Sequence, residues 1–316
     1  MTSSAEQSED GGATRRSRGI ALVAVLWISS LLALLAAGAV SSSRTDLRLA
    51  YNLAEQAKAR ALADAGVHQG LYELLSRADR QAWRNGAVDR QLTFDGGTVR
   101  FGLRDEDAKL DLNAASVELF VGLFRAVGLP DEQASAFADR ILDFRDEDSN
   151  PEPFGAEDEA YLAAGYTKGV ADRPFAGVAE LADVLGMTDQ IYQRVKPHVT
   201  VFADVDGIDA GRAAPLALQA LPGMTPELAA AISAQPPETD PLEALPEDVR
   251  ADVEDYLVPS RDLMFSIESL GISDGDGRFL REAVVALDGG TRNRRLPFTI
   301  YAWERGHVPV ATTQAE

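Results

Sequence analysis

From Ile20 to Val40 the chain carries no charged residue, and its apolar positions cover every side of a helix. At about 1.5 Å rise per residue, those 21 residues make a helix of roughly 30 Å, the thickness of a hydrocarbon core. Beyond Val40 the pattern changes without a break. Leu47, Tyr51, Ala54, Ala61, Ala65, Tyr72 and Leu75 recur at steps of three, four and seven. Arg48, Glu55, Lys58, Arg60 and Asp64 take the other faces, and no proline intervenes. This periodicity predicts one helix to about Arg80, uniformly apolar in its first half (20–40) and amphipathic in its second.

The periodicity then drops to two. Gln91–Phe94 and Thr98–Leu103 flank Asp95-Gly96-Gly97, a hairpin signal, and Lys109–Leu112 is expected to extend the same sheet. Near the other end, Leu263–Ile272, Phe279–Leu287 and Pro297–Trp303 alternate apolar and polar residues around turn-forming Asp/Gly clusters. From 113 to 256 the pattern is helical. The predicted fold is α+β: a long N-terminal helix packed on a small antiparallel sheet, with a large all-α domain inserted between its strands. The segments expected are 1–19, 20–40, 41–112, 113–256, 257–305 and a disordered tail, 306–316.

Arg15, Arg16 and Arg18 precede the apolar stretch, so its N-terminal side is expected in the cytoplasm and the remainder across the inner membrane, in the periplasm. Three processing readings stay open. A signal peptide is cut after Ala37-Gly38-Ala39; a twin-arginine signal lacks the apolar pair that follows its arginines; cleavage between Gly19 and Ile20 leaves the helix on the mature chain. A net charge of −20 disfavours nucleic acid and anionic membrane surfaces as partners. With no cysteine there are neither disulfides nor thiol chemistry.

Inside the helical segment a unit repeats. Gly128-Leu129-Pro130, Gly186-Met187-Thr188 and Gly223-Met224-Thr225 each have a large apolar residue nine positions after the glycine: Phe137, Val195 and Ile232. Glycine suits the turn that ends one helix, and proline or threonine the start of the next. Such helix-hairpin-helix units resemble modules that hold DNA backbones, so a membrane-anchored DNA receptor is the alternative reading. Asp131, Glu132, Asp189 and Glu227 stand where that role needs cations.

The densest chemistry is the loop Asp146-Glu147-Asp148-Ser149-Asn150 with Glu157-Asp158-Glu159 after it. Asp146, Asp148, Asn150 and Glu157 fall at positions 1, 3, 5 and 12 of an EF-hand-like loop, but Pro151 stands where that motif needs glycine. The spacing leaves two readings open: a solvated acidic loop, or a site for a hard cation such as calcium. The turns at 204–209 and 274–277 could hold a second ion, but turn chemistry explains both without one. His68, His198 and His307 show no ligand spacing, and Trp83 and Trp303 are expected to pack the sheet on the helix. No nucleophile elbow or phosphate-binding loop is present, so no enzyme is expected.

A basic segment, a glycine, a cleavable apolar N-terminus and an uninterrupted long helix resemble type IV pilin-like proteins. The glutamate those proteins carry at the fifth mature position is Ala24 here. That absence, together with Gly155-Ala156-Glu157-Asp158, resembles the minor pseudopilin K family of type II secretion. The resemblance runs from Arg15 to about Arg305. The turn at Asp111-Leu112-Asn113 is degenerate in its second copy, Ile208-Asp209-Ala210. It implies a non-enzymatic tip component of the pseudopilus, cut after Gly19 by prepilin peptidase and methylated at Ile20. The implied partners are other minor pseudopilins and the inner-membrane secretion platform. It also implies calcium on Asp146, Asp148, Glu157 and Asp158. A type IV pilus minor pilin is the related alternative.

Overall fold

The computed structural model describes residues 14–76, 90–235, 239–287 and 297–307, with the side chains of 14–20 and 38–44 outside that set. Residues 1–13 of the expected leader, the side chains at the Gly19–Ile20 junction, Trp83 and most of the expected tail therefore lie outside the described residues. The chain divides into two compact units, 1–57 and 58–316.

Helix α1 (Thr14–Leu75) is 62 residues long. In the first unit its large apolar side chains stand exposed, Leu22, Leu26, Trp27, Leu31, Leu34 and Leu35 among them, and further on Leu47, Tyr51 and Leu53. Among the described residues no helix is long and apolar enough to cross a membrane. The expected span at 20–40 lies only partly among them, since the side chains of Ile20 and of 38–40 are outside.

In the second unit α1 buries Ala59, Ala63, Val67, Leu71 and Leu74. These positions recur every three or four residues, so one stripe of the helix meets a five-stranded antiparallel sheet. The sheet comprises β1 (Arg90–Phe94), β2 (Gly97–Asp105), β5 (Met264–Ser273), β6 (Arg278–Ala286) and β7 (Thr299–Arg305), in the order β1-β2-β5-β6-β7. Small residues set the spacing between the two layers. A Cβ on Gly271 of β5 would lie 2.0 Å from the Ala59 carbonyl oxygen, and one on Gly66 would lie 2.1 Å from Ser269 Oγ. Phe101, Leu103, Phe265, Ile267, Ala283 and Val285 complete this core.

Between β2 and β5 the chain builds a separate core that runs from Ala108 to Val253. Its helices are α2 (Val117–Ala126), α3 (Asp131–Arg145), α4 (Asp158–Ala163), α5 (Asp189–Val195), α6 (Pro215–Leu218), α7 (Pro226–Ser233) and α8 (Glu247–Val253). The fold is thus α+β, as the pattern predicts. One expectation needs correcting: β3 (Leu110–Asp111) does not extend the main sheet. It pairs in parallel with β4 (Val199–Thr200) as a two-stranded sheet within the insert. That partner is 89 positions along the chain, beyond the reach of a local alternation pattern.

The three hairpins form as read. Gly128, Gly186 and Gly223 have φ of 92°, 83° and 66°, a region closed to most other residues. Thr188 and Thr225 then cap α5 and α7, each hydroxyl accepting from the amide three residues on at 3.3 Å. Arg194 of the second hairpin lies against Gly128 of the first. Arg140 of the first lies against Gly186 of the second and donates to the Leu185 carbonyl at 2.8 Å.

Candidate metal centre

Asp139 and Asp143 are one turn apart on α3, and both are buried. A buried carboxylate needs donors, and the backbone of 152–156 supplies them. Asp143 accepts from Glu152 N at 3.0 Å and from Ala156 N at 2.5 Å, while Asp139 accepts from Phe154 N at 3.0 Å. The loop can lie this close only because residue 155 is glycine: a Cβ there would be 1.9 Å from Asp143 Oδ2. Burial pushes the Asp143 carboxyl up from the usual range, and these backbone donors oppose the rise.

Held in this way, the loop returns to the C-terminal end of α3. Asp146 caps that helix, and Glu157 occupies the N-cap position of α4. Asp148 lies between them in sequence; its Oδ1 accepts from both Asn150 N and Asn150 Nδ2 at 2.8 Å. One carboxylate oxygen from each of Asp146, Asp148 and Glu157 lies within 4.8 Å of the others. Asp146 Oδ1 and Glu157 Oε1 are buried with no hydrogen-bond partner among the described residues. Burial first, then the charges of Asp143, Asp172, Asp146 and Asp148, push Glu157 up to about 7. Asp146 is raised by burial and by Asp148, Asp143 and Asp172. Arg145 attracts Asp146 but donates to the Leu112 carbonyl at 2.8 Å; two oxygens stay buried without donors among three mutually repelling carboxylates, and hard oxygen ligands suit calcium.

Not every expected ligand arrives. Asp158 begins α4 and turns the other way: its Oδ1 accepts from Val170 N at 3.1 Å and presses on Gly169. Asn150 is engaged with Asp148, and Glu159 is exposed. Asp143 and Asp172, which sequence reasoning missed, supply much of the surrounding negative field. Asp143 was hidden inside a helical pattern, whereas the distant Asp172 at φ 49° gave no local signal.

The remaining candidates serve the fold. Asp209 Oδ1 accepts from Gly211 N, as turn chemistry predicts, whereas Asp206 accepts from Ser116 N and Asp209 Oδ2 from Ser260 N, both distant along the chain. His68 meets Trp303 edge to face at 5.8 Å, joining helix to sheet. At the hairpins, Asp131, Glu132, Asp189 and Glu227 lie in the first turns of their helices. Those ends therefore repel a phosphate backbone.

The insert is joined to the sheet by paired charges. Asp105 at the end of β2 pairs with Arg212 and accepts from Ser260 Oγ at 2.5 Å. Arg212 also meets Asp262 at 2.6 Å and Asp209 at 3.6 Å. Asp107 takes Arg261 at 2.7 Å, and Lys196 Nζ donates to both oxygens of Glu282 on β6, at 3.0 and 2.8 Å.

Residues 100–204 match the family model described as type II secretion system protein K. The chain is 28% identical over 213 residues to the type II secretion system protein K of Pseudomonas aeruginosa, covering 60% of this chain and 63% of that protein. It is 31% identical over 210 residues to the protein of the same name from Klebsiella pneumoniae, covering 60% and 64%. The matches thus span just under two thirds of those relatives. Among solved structures it resembles a chain of the GspK-GspI-GspJ complex from the enterotoxigenic Escherichia coli type 2 secretion system. The TM-score is 0.58 at 21% identity, over 84% of this chain and 100% of that one.

Proposed function

We propose that this chain, which matches the type II secretion system protein K model over residues 100–204 and is similar to relatives of that name, is a structural minor pseudopilin at the tip of the secretion pseudopilus. The observation that carries the reading is α1: its large apolar side chains stand exposed over 22–35, while over 59–74 it is buried on the sheet. In this reading prepilin peptidase cuts between Gly19 and Ile20. Residues 20–40 then anchor the chain in the inner membrane, with the sheet and insert in the periplasm. Methylation of Ile20, contact with the inner-membrane platform and assembly beside two other minor pseudopilins follow from the same role. Ala24 supports the tip position. A carboxylate buried there would need a partner amine on a subunit above, and the tip has no such neighbour.

Calcium is the proposed ion. Asp146, Asp148 and Glu157 would hold it, and it would supply the positive charge their buried oxygens lack. Asp143 and Gly155 do not ligate in this proposal; they fix the loop that brings Glu157 back to Asp146.

The test is the N-terminal mass of the membrane-extracted protein, made with and without prepilin peptidase. A peptidase-dependent start at Ile20 is expected, together with co-purification with two other minor pseudopilins. A start at Val40 would refute the role.

A further inference from the structure

We propose that the sheet carries a second binding site, a cluster of three guanidinium groups around Phe279 that takes carboxylates from an acidic segment of a protein partner. The guanidinium carbons of Arg281, Arg305 and Arg60 lie 4.9, 5.3 and 6.0 Å from the centre of the Phe279 ring. Arg60 comes from α1, Arg281 from β6 and Arg305 from β7. Arg281 and Arg305 are direct cross-strand partners. Like charges at that register destabilise a strand pair, so the arrangement needs anions nearby.

The cluster holds too few of them. Asp64 is the carboxylate that serves it, 2.7 Å from Arg281 and 3.9 Å from Arg60. Arg281 is only 4% exposed; it donates to Asp64 and, at 3.2 Å, to the Glu304 carbonyl. Its Nη2 is buried with no hydrogen-bond partner among the described residues. Arg60 and Arg305 are exposed. Three guanidinium groups around one ring, with Asp64 as the carboxylate paired to them among the described residues, carry a local positive surplus in a chain whose net charge is −20.

Guanidinium forks match carboxylates and phosphates in pairs, and stacking on an aromatic ring fixes their direction. The surrounding charge chooses between these anions. A polyphosphate backbone would be repelled by the acidic remainder of the chain, whereas one or two carboxylates presented by a protein match the local surplus.

Trp303 reports on the site directly, because the Arg281 guanidinium lies 5.1 Å from its ring. In full-length protein in detergent, with Trp27 and Trp83 replaced by phenylalanine, emission from Trp303 is followed while a Gly-Glu-Glu-Gly peptide is added. The expected result is a saturable, salt-sensitive change whose midpoint moves at least about tenfold higher in Arg60→Gln/Arg305→Gln. Both substitutions are at exposed positions, and unchanged circular dichroism confirms folding. Arg281→Lys, which keeps the charge and loses the fork, is expected to fall between. An equal response to Gly-Lys-Lys-Gly, or a midpoint the double variant leaves in place, would overturn the site. Saturation by inorganic phosphate without any response to the peptide would overturn the class of partner.

Discussion

The junction around Arg212 and the loop around Glu157 both gather acids, yet among the described residues only the junction closes its acids into ion pairs. At the junction Asp105, Asp107, Asp209 and Asp262 meet Arg212 and Arg261, with Ser260 and backbone amides filling the remaining positions. At the loop Asp146, Asp148 and Glu157 meet one another. Burial raises Asp105, and Arg212 and Ser260 oppose the rise; around Glu157 every named charge adds to it. A self-neutralised cluster is part of the fold, whereas an unneutralised one makes stability depend on something in solution.

Removing a charge should therefore act in opposite directions at the two places. Arg212→Met leaves Asp105, whose side chain is only 3% exposed, without its cation. It is expected to cost about 3–5 kcal/mol in urea unfolding. A loss under about 1 kcal/mol would show that the junction does not hold the insert to the sheet. Calcium at a hundred times its dissociation constant should stabilise the wild type by about 3 kcal/mol, and chelation should remove the gain. In Asp146→Asn that gain should vanish, while the calcium-free protein stays at least as stable as wild type, because one repelling carboxylate has gone. Gly155→Ala drives a Cβ into Asp143 and should cost about 1–3 kcal/mol together with the calcium response.

The smallest effect expected concerns pH. Burial, then Arg104 and Lys109, lower His198 to about 4 from its ordinary 6.5. The unfolded chain therefore takes up a proton before the folded one does. The neutral histidine leaves stability intact above pH 6.5, and stability falls as pH drops from there towards 4. Between pH 6.5 and 5 the wild type should lose about 1 kcal/mol more than His198→Gln in parallel thermal melts. Equal losses would show that His198 does not carry the acid sensitivity.

Much of the architecture was legible along the chain. The hairpins Gly128-Leu129-Pro130, Gly186-Met187-Thr188 and Gly223-Met224-Thr225 were readable because turn dihedrals and caps are local properties. The strands of the main sheet were readable because alternation needs only neighbours. The site was half legible: spacing singled out Asp146, Asp148 and Glu157, but it also nominated Asn150, which is engaged with Asp148, and the family resemblance nominated Asp158, whose side chain turns to Val170. Position along a loop does not fix the direction of a side chain. The pairing of Leu110 with Val199, the field of Asp172 and the arginines around Phe279 had no local signal.

The sequence by itself determined a long two-part helix, a split antiparallel sheet, a helical insert with repeated hairpins and one acidic loop. These rest on periodicity, turn chemistry and charge, which act over a few residues. The tertiary structure decided which acids are neutralised and which are not. That outcome depends on burial and on cations contributed from dozens to more than a hundred positions away, as Arg212 is to Asp105, and a close approach of that kind exists only once the chain has folded.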